Sequence, residues 1–477
     1  MAQIASIPWH YLAAVAHLCL AVLASAHILL TKRESSTAIA WVGVVWLAPM
    51  LGPILYFLLG INRVKRRAGH LPQAVDAAIS EARLPTPAPA PSAIPTHLLP
   101  LRMLVHQVTG IPLTEGNQVT PLFDGTEAYP AMLEAIESAR KTLALSTYIM
   151  NPDAAGKPFA DALSRAVARG VEVRVLLDGL GAFYAFPTMV SRLRRGGVPV
   201  ARFMSSILPW RMPYLNLRNH RKILVVDGKL GFTGGLNIQA SNLDDGKGHQ
   251  QHDVHFRVEG PAVRQMMAAF ERDWRFATGE GLDGPDWFPP PTAAGAARLR
   301  GVPHGPDDDF QKLHWVMLGA LGHARQRVRV VTPYFLPDQP LITALGCAAL
   351  AGVEVDIVLP AKTNISLVQW AAMANLDELL DRGCRIWRVG PAFHHTKLFV
   401  VDGAWSLLGS TNWDARSLRL NFEFNLECYD QEVAARLDKH IEGLIASSKP
   451  ITLAEVKGRR LVRKFRDAGT RLLEPYL

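Results

Sequence analysis

The sequence predicts an α/β protein: two duplicated α/β sandwich lobes with one active site between them, preceded by a two-helix transmembrane hairpin. Three observations predict it. Two long uncharged runs open the chain, a helix-glycine-strand pattern occurs twice, and a His-x-Lys segment occurs once in each copy. With 477 residues, 49% of them hydrophobic, the chain can build several domains around large cores.

Tyr11 to Leu30 carries no formal charge and is interrupted only by His17 and His27. A helix of about 20 residues spans roughly 30 Å, the apolar thickness of a bilayer. After "TKRESST", Ala38 to Gly60 is a second uncharged run. Trp41, Trp46 and Tyr56 suit its interfaces, and Pro49 and Pro53 are tolerable as a membrane kink. A cleaved secretory signal, suggested by Ala24-Ser25-Ala26, is disfavoured because no basic segment precedes the run and a second run follows. Lys32 and Arg33 lie in the short loop, whereas Arg63, Lys65, Arg66 and Arg67 crowd the exit of the second run, which places the body on the cytoplasmic side.

The expected domains are a hairpin over 1–67 (spans about 11–30 and 38–60), a tether over 68–100, lobe one over 101–290 and lobe two over 291–477. The Pro and Ala of Leu84 to Pro100 read as an extended tether. An irregular region, Gly279 to Asp309, divides the lobes. "AVARGVEVRVLL" (Ala166 to Leu177) matches "AALAGVEVDIVL" (Ala348 to Leu359), each a helix end, a glycine stop and a buried strand. Duplication predicts that chemistry in one lobe recurs in the other.

A net charge of +9 favours a polyanion, either nucleic acid or an acidic membrane surface, and the apolar runs favour the membrane. Cys19, Cys347, Cys384 and Cys428 are scattered without metal-ligand spacing, so they are expected to be reduced and mostly buried. No metal or other cofactor is expected.

The chemistry lies in two stretches. His220, Lys222, Asp227, Gly234 and Asn237 recur with identical spacing as His395, Lys397, Asp402, Gly409 and Asn412. Residues two apart in a strand share a face, so each His projects with its Lys. Asp227-Gly228 and Asp402-Gly403 are hairpin signals, which makes the aspartates mainly structural. Two-residue turns would set Gly235 opposite His220 and Ser410 opposite His395, small residues leaving room for an anion. Lys as point charge and Asn237 or Asn412 as donor then form a phosphate clamp. A reactive His also needs a carboxylate on its other nitrogen. Asp253, downstream of His220, and Glu423, downstream of His395, are the candidates, each expected to pack beside the hairpin it follows. His252 and His255 are expected to be ordinary polar residues of a strand.

These paired HxKxxxxD segments resemble the phospholipase D superfamily. Within it, "LYFLLGINRVKRR", "NLRNHRKILVVDGKLGFTGGLNI", "FERDWRFATGE", "TPYFLPD" and "NWDARSLRLNFEFNLE" resemble the bacterial cardiolipin synthases over nearly the whole chain. Departures such as "VGPAFHH" and Trp413 bear on acceptor choice alone. The resemblance implies two phospholipase D-like lobes in a bacterial inner-membrane enzyme with phosphatidylglycerol and other anionic phospholipids as partners and no nucleic acid. It implies that His220 attacks one phosphatidylglycerol to form a phosphatidyl-histidine. His395 then serves as acid and base while a second phosphatidylglycerol takes the group, giving cardiolipin and glycerol. Chemically adjacent alternatives are a lipid hydrolase, transfer to phosphatidylethanolamine, and a membrane-tethered nuclease. A lipid-binding scaffold is disfavoured because both motifs keep their reactive residues. Met204 to Asn219 reads either as a lip dipping into headgroups or as a packed loop, and the basic tail from Lys457 to Arg471 either as a solvated face or as a contact for anionic lipid.

Overall fold

The computed structural model describes residues 9–32, 35–60, 94–181, 188–204, 217–246, 248, 250–307 and 309–472. They fall into two compact units, the N-terminal helices and the body. The exit residues Arg63, Lys65, Arg66 and Arg67, most of the tether and all of the lip except Met204 and Leu217 to Asn219 lie outside the described residues.

In the N-terminal unit, α1 (Trp9–Thr31) packs on α2 (Ser35–Leu47) through Ala21, Ile28, Ala38 and Val45. Among the described residues α1 alone is long and apolar enough to cross a bilayer. The second expected span is interrupted. It turns at residues 48–50, resumes over Leu51–Leu55 and ends in a π turn over Tyr56–Gly60. Pro49 has no N–H to continue the ladder, and Met50 takes φ 63°. The Met50 N–H goes instead to His17 Nδ1 at 3.2 Å, and His27 Nδ1 meets the Tyr56 hydroxyl at 2.7 Å. The two polar interruptions of α1 thus satisfy groups on the broken helix, as an apolar surrounding demands. Leu12, Val15, Leu23, Leu29 and Ile39 face outward, an apolar exterior that fits membrane association.

Lobe one of the body contributes β1 (Thr114–Phe123), β2 (Thr142–Thr147), β3 (Glu172–Asp178), β4 (Val200–Phe203), the short β5 (Arg218–Asn219), β6 (Ile223–Val226), β7 (Leu230–Gly234) and β8 (Val254–Glu259). Lobe two follows with β9 (Ala297–His304), β10 (Arg327–Val331), β11 (Glu354–Pro360), β12 (Arg385–Val389), β13 (Leu398–Val401), β14 (Trp405–Gly409), β15 (Asn421–Tyr429) and β16 (Lys449–Ile451). Spatial order in lobe one is β1-β8-β7-β6-β2-β3-β4, and lobe two repeats it as β9-β15-β14-β13-β10-β11-β12 with β16 added at the edge. The sequence match recurs in space: β3 and β11 occupy equivalent places, each entered through a left-handed glycine, Gly170 at φ 86° and Gly352 at φ 92°.

Lobe one carries α3 (Asp124–Ser138), α4 (Gly156–Ala168) and α5 (Ala262–Thr278), and lobe two carries α6 (Lys312–His323), α7 (Gln339–Leu350) and α9 (Gln431–Ala446) at the corresponding places, with α8 (Ser366–Ala372) before α9 and α10 (Leu461–Arg471) after it. Leu143, Leu145, Val173 and Val175 alternate along β2 and β3 to pack on α3 and α4.

Antiparallel β1 and β9 join the two sheets into one. The expected irregular region therefore contains a central strand. Every residue of β9, "ARLRGVPH", is buried, but its arginines hide the pattern. Arg298 Nε reaches Glu115 at 2.9 Å and Arg300 Nε lies 3.4 Å from Glu427, so charges expected outside are paired within the sheet. The far end of the tether and the start of the first lobe also differ from expectation. Leu98, Leu101 and Val105, on a short turn and the helix Leu99–Thr109, sit in the core of lobe two beside Val316 and Met317. Cys384 and Cys428 are buried, whereas Cys19 and Cys347 are exposed.

Candidate active site

Both hairpins reverse at Asp-Gly, with Asp227, Gly228, Asp402 and Gly403 all at φ between 52° and 62°. The register differs from the expected one. Val226 pairs with Leu230 and Val401 with Trp405, so each loop carries one residue more than a two-residue turn and the facing pairs slip by one. Asp227 accepts the backbone N–H of Arg140, Lys141 (2.7 Å) and Thr142 (3.0 Å). Asp402 accepts those of Arg325, Gln326 and Arg327 at 2.8 to 2.9 Å, and His97 Nε2 at 2.8 Å. Each aspartate ties its turn to the segment entering the parallel strand.

His220 and His395 stand on extended chain just before β6 and β13 rather than within the ladders. Their carboxylates are exchanged between lobes. His220 Nδ1 meets Glu423 Oε2 at 2.9 Å, and His395 Nδ1 meets Asp253 Oδ2 at 2.7 Å. The expected pairing of each histidine within its own lobe is therefore corrected, and the backbone gives the reason. β5 runs parallel to β15, with Asn219 against Phe422 and the His220 N–H on the Phe422 carbonyl (2.8 Å). In the other lobe His394 bridges His252, and the His395 N–H reaches the His252 carbonyl at 2.7 Å. The segment before each of these histidines crosses to the partner lobe and lies along its carboxylate.

Gly235 and Ser410 lie against those carboxylates. A Cβ at Gly235 would stand 2.2 Å from Asp253 Oδ1, so only glycine admits the carboxylate there. At the equivalent place Ser410 Oγ donates to Glu423, whose other oxygen accepts from Asn421 Nδ2 at 3.1 Å. Although burial would raise it, the His220 ring, Lys222 and Ser410 hold the Glu423 carboxyl down at about 2. Burial opposes the same effect on Asp253, where Lys397 and His395 hold the carboxyl below its ordinary value.

Burial lowers the pKa of both histidines, and the neighbouring lysines add to it. His220 is shifted downward and His395 falls to about 4. Both shifts favour the uncharged ring, and a proton on Nδ1, facing the carboxylate, leaves the lone pair on Nε2. Burial also lowers Lys222 to about 7 and Lys397 to about 8 against the pull of Glu423 and Asp253. Lys222 Nζ donates to the His220 carbonyl (2.8 Å), and Lys397 Nζ lies 3.7 Å from Asp253. Each lysine perturbs the other lobe's histidine as well as its own, so the four side chains form one cluster.

Residues 132–274 and 317–445 match the family model described as cardiolipin synthase, PLD-like domain. The chain belongs to that family. Residues 19–60 match the phospholipase D-nuclease N-terminal model. A cardiolipin synthase of Geobacillus thermodenitrificans is 31% identical over 96% of this chain and 92% of its own. One of Staphylococcus aureus is 30% identical over 94% and 93%. The fold also resembles the crystal structure of phosphatidylserine synthase from Haemophilus influenzae, with a TM-score of 0.62 at 15% identity over 79% of this chain and all of that one.

In this cardiolipin synthase-family chain both carboxamides are buried. Asn237 Oδ1 accepts the Ile149 N–H at 3.3 Å, beside Tyr148. Asn412 Oδ1 is buried without a hydrogen-bond partner among the described residues. Sequence reasoning missed three groups. Tyr148 stands edge-on to His220 at 5.3 Å and under Lys222, and Tyr334 stands edge-on to His395 at 6.2 Å. They follow β2 and β10 at equivalent places, so aligning "STYIMNPD" with "TPYFLPD" could have found them. Arg221 is fully buried, bonding Asp273 of α5 (2.7 Å) and the carbonyls of Glu423 and His304 across the lobes. Thr396 replaces it in the second copy, so the repeat carried no signal for it. His252 is no free strand residue: its Nδ1 lies 2.9 Å from Asp124, and it stacks on His394 at 4.6 Å.

Proposed function

We propose that the protein makes cardiolipin and glycerol from two molecules of phosphatidylglycerol, at the cytoplasmic face of a bacterial inner membrane that it enters by both N-terminal helical segments. The exchanged carboxylates carry this reading: two equivalent imidazoles, each fixed at Nδ1, offer two Nε2 atoms to one phosphodiester. His220 Nε2 attacks phosphorus and the bond to the glycerol headgroup breaks. A proton on His395 Nε2 leaves with that glycerol. The phosphate's negative charge supports the protonated state of His395, which burial alone disfavours. His395 then accepts the proton of a hydroxyl on the second phosphatidylglycerol, whose oxygen attacks phosphorus as the P–N bond breaks. The covalent step turns one difficult exchange into two easier ones. Lys222, Lys397, Asn237 and Asn412 hold the phosphoryl oxygens as negative charge develops.

The test is product analysis of the purified full chain with phosphatidylglycerol in vesicles. Cardiolipin and glycerol in equal amounts are expected. Phosphatidic acid alone, or product only when phosphatidylethanolamine is supplied, would overturn the proposed acceptor. Peptide mapping of a trapped intermediate, kept out of acid because a P–N bond to imidazole is acid-labile, should place the phosphatidyl group on the His220 peptide, and label on His395 would exchange the two roles.

A further inference from the structure

Helix α10 presents its faces in the reverse of the usual order. Its buried residues are Asp467 and Thr470, with Asp467 held by Arg459 and by Arg466 at 2.6 Å. Leu461, Val462, Phe465 and the adjoining Leu472 are 71%, 80%, 76% and 78% exposed. At about 100° per residue these four fall within about 100° of arc, roughly opposite Asp467 and Thr470. Lys464 and Arg466 border that arc on its two sides. Arg460, Arg463 and Lys464 form no ion pair among the described residues. An apolar ridge bordered by the unpaired Lys464 on one side and Arg466 on the other matches the boundary between headgroups and acyl chains of an anionic bilayer. A second copy of this chain would bring the same cations to the contact, so charge favours lipid over self-association.

The ridge is joined to the site through α8. Arg466 lies over the Trp370 ring at 4.3 Å, and Arg459 donates to the Met373 carbonyl at 2.9 Å. On its other side α8 packs Val368, Ala371 and Ala372 against Tyr334 and Phe393, whose rings stand 6.2 and 5.8 Å from His395. We propose that α10 docks the second lobe on an anionic lipid surface, with Leu461, Val462, Phe465 and Leu472 among the acyl chains and Lys464 at the phosphates, holding the His395 side of the site near the bilayer. This concerns binding and stands whichever lipid reaction the site performs.

The experiment is hydrogen exchange of the full chain in proteoliposomes, comparing phosphatidylglycerol mixed into phosphatidylcholine with phosphatidylcholine alone. Amides of residues 461–472 should exchange at least about fivefold more slowly in the anionic bilayer. Val462→Asp with Phe465→Asp, and separately Lys464→Glu, should each remove the difference while the unfolding temperature shows the fold intact. Equal exchange in the two bilayers overturns the proposal. So does protection that follows protein density rather than phosphatidylglycerol content, which would make the occupant a second copy.

Discussion

At the scale of the residue, the two carboxylates set what the histidines can do. Glu423→Gln keeps the shape but no longer favours Nδ1–H on His220, and should lower kcat by about 10² to 10⁴ without disturbing the fold. Near-normal turnover in that variant would remove Glu423 from the scheme. The lysines predict an unusual pH dependence. In the free protein Lys222 and Lys397 are cationic only below about 7 and about 8. Because kcat/KM reports the free enzyme, it should decline as pH rises through that range, where a clamp of ordinary lysines would hold. Stability should move the other way: the unfolded chain keeps those protons at higher pH, so unfolding becomes harder as pH rises from about 7 toward 10. The histidines, lysines and the chemical type of their partners were legible, because a repeated spacing is a sequence property. Which carboxylate serves which histidine was not, because Asp253 and Glu423 each follow the wrong motif in the chain.

At the scale of the element, the hairpins hold the site and the turn aspartates hold the hairpins. Asp227→Ala leaves three backbone N–H groups of residues 140 to 142 without their acceptor and puts alanine at a left-handed φ. It should cost about 1 to 3 kcal/mol in chemical denaturation while retaining measurable turnover. Loss of turnover with unchanged stability would instead make Asp227 part of the chemistry. The strands of high apolar content, β3 and β11, were readable from their pattern. β9 was not, since Arg298 and Arg300 are neutralised by Glu115 and Glu427 from other strands. The second apolar run likewise satisfied a composition rule, but Pro49 and Met50 break it into two segments.

At the scale of the molecule, one chain supplies both halves of one site. His220→Ala and His395→Ala should each lower kcat by at least about 10⁴, and co-reconstituting the two variants should restore nothing. Recovery on mixing would mean that sites form between chains. The sequence by itself determined the duplication, the reactive residue types, the apolar entry of the chain and the family, since each is carried by spacing or composition along one strand of text. Only the tertiary structure decided that β1 and β9 fuse the two sheets, that His220 answers to Glu423 and His395 to Asp253, and that Gly235 yields its space to a carboxylate. Those outcomes depend on chain segments crossing between lobes and on a register slipped by one residue. Contacts between residues 142 and 203 positions apart leave no local periodicity from which to read them.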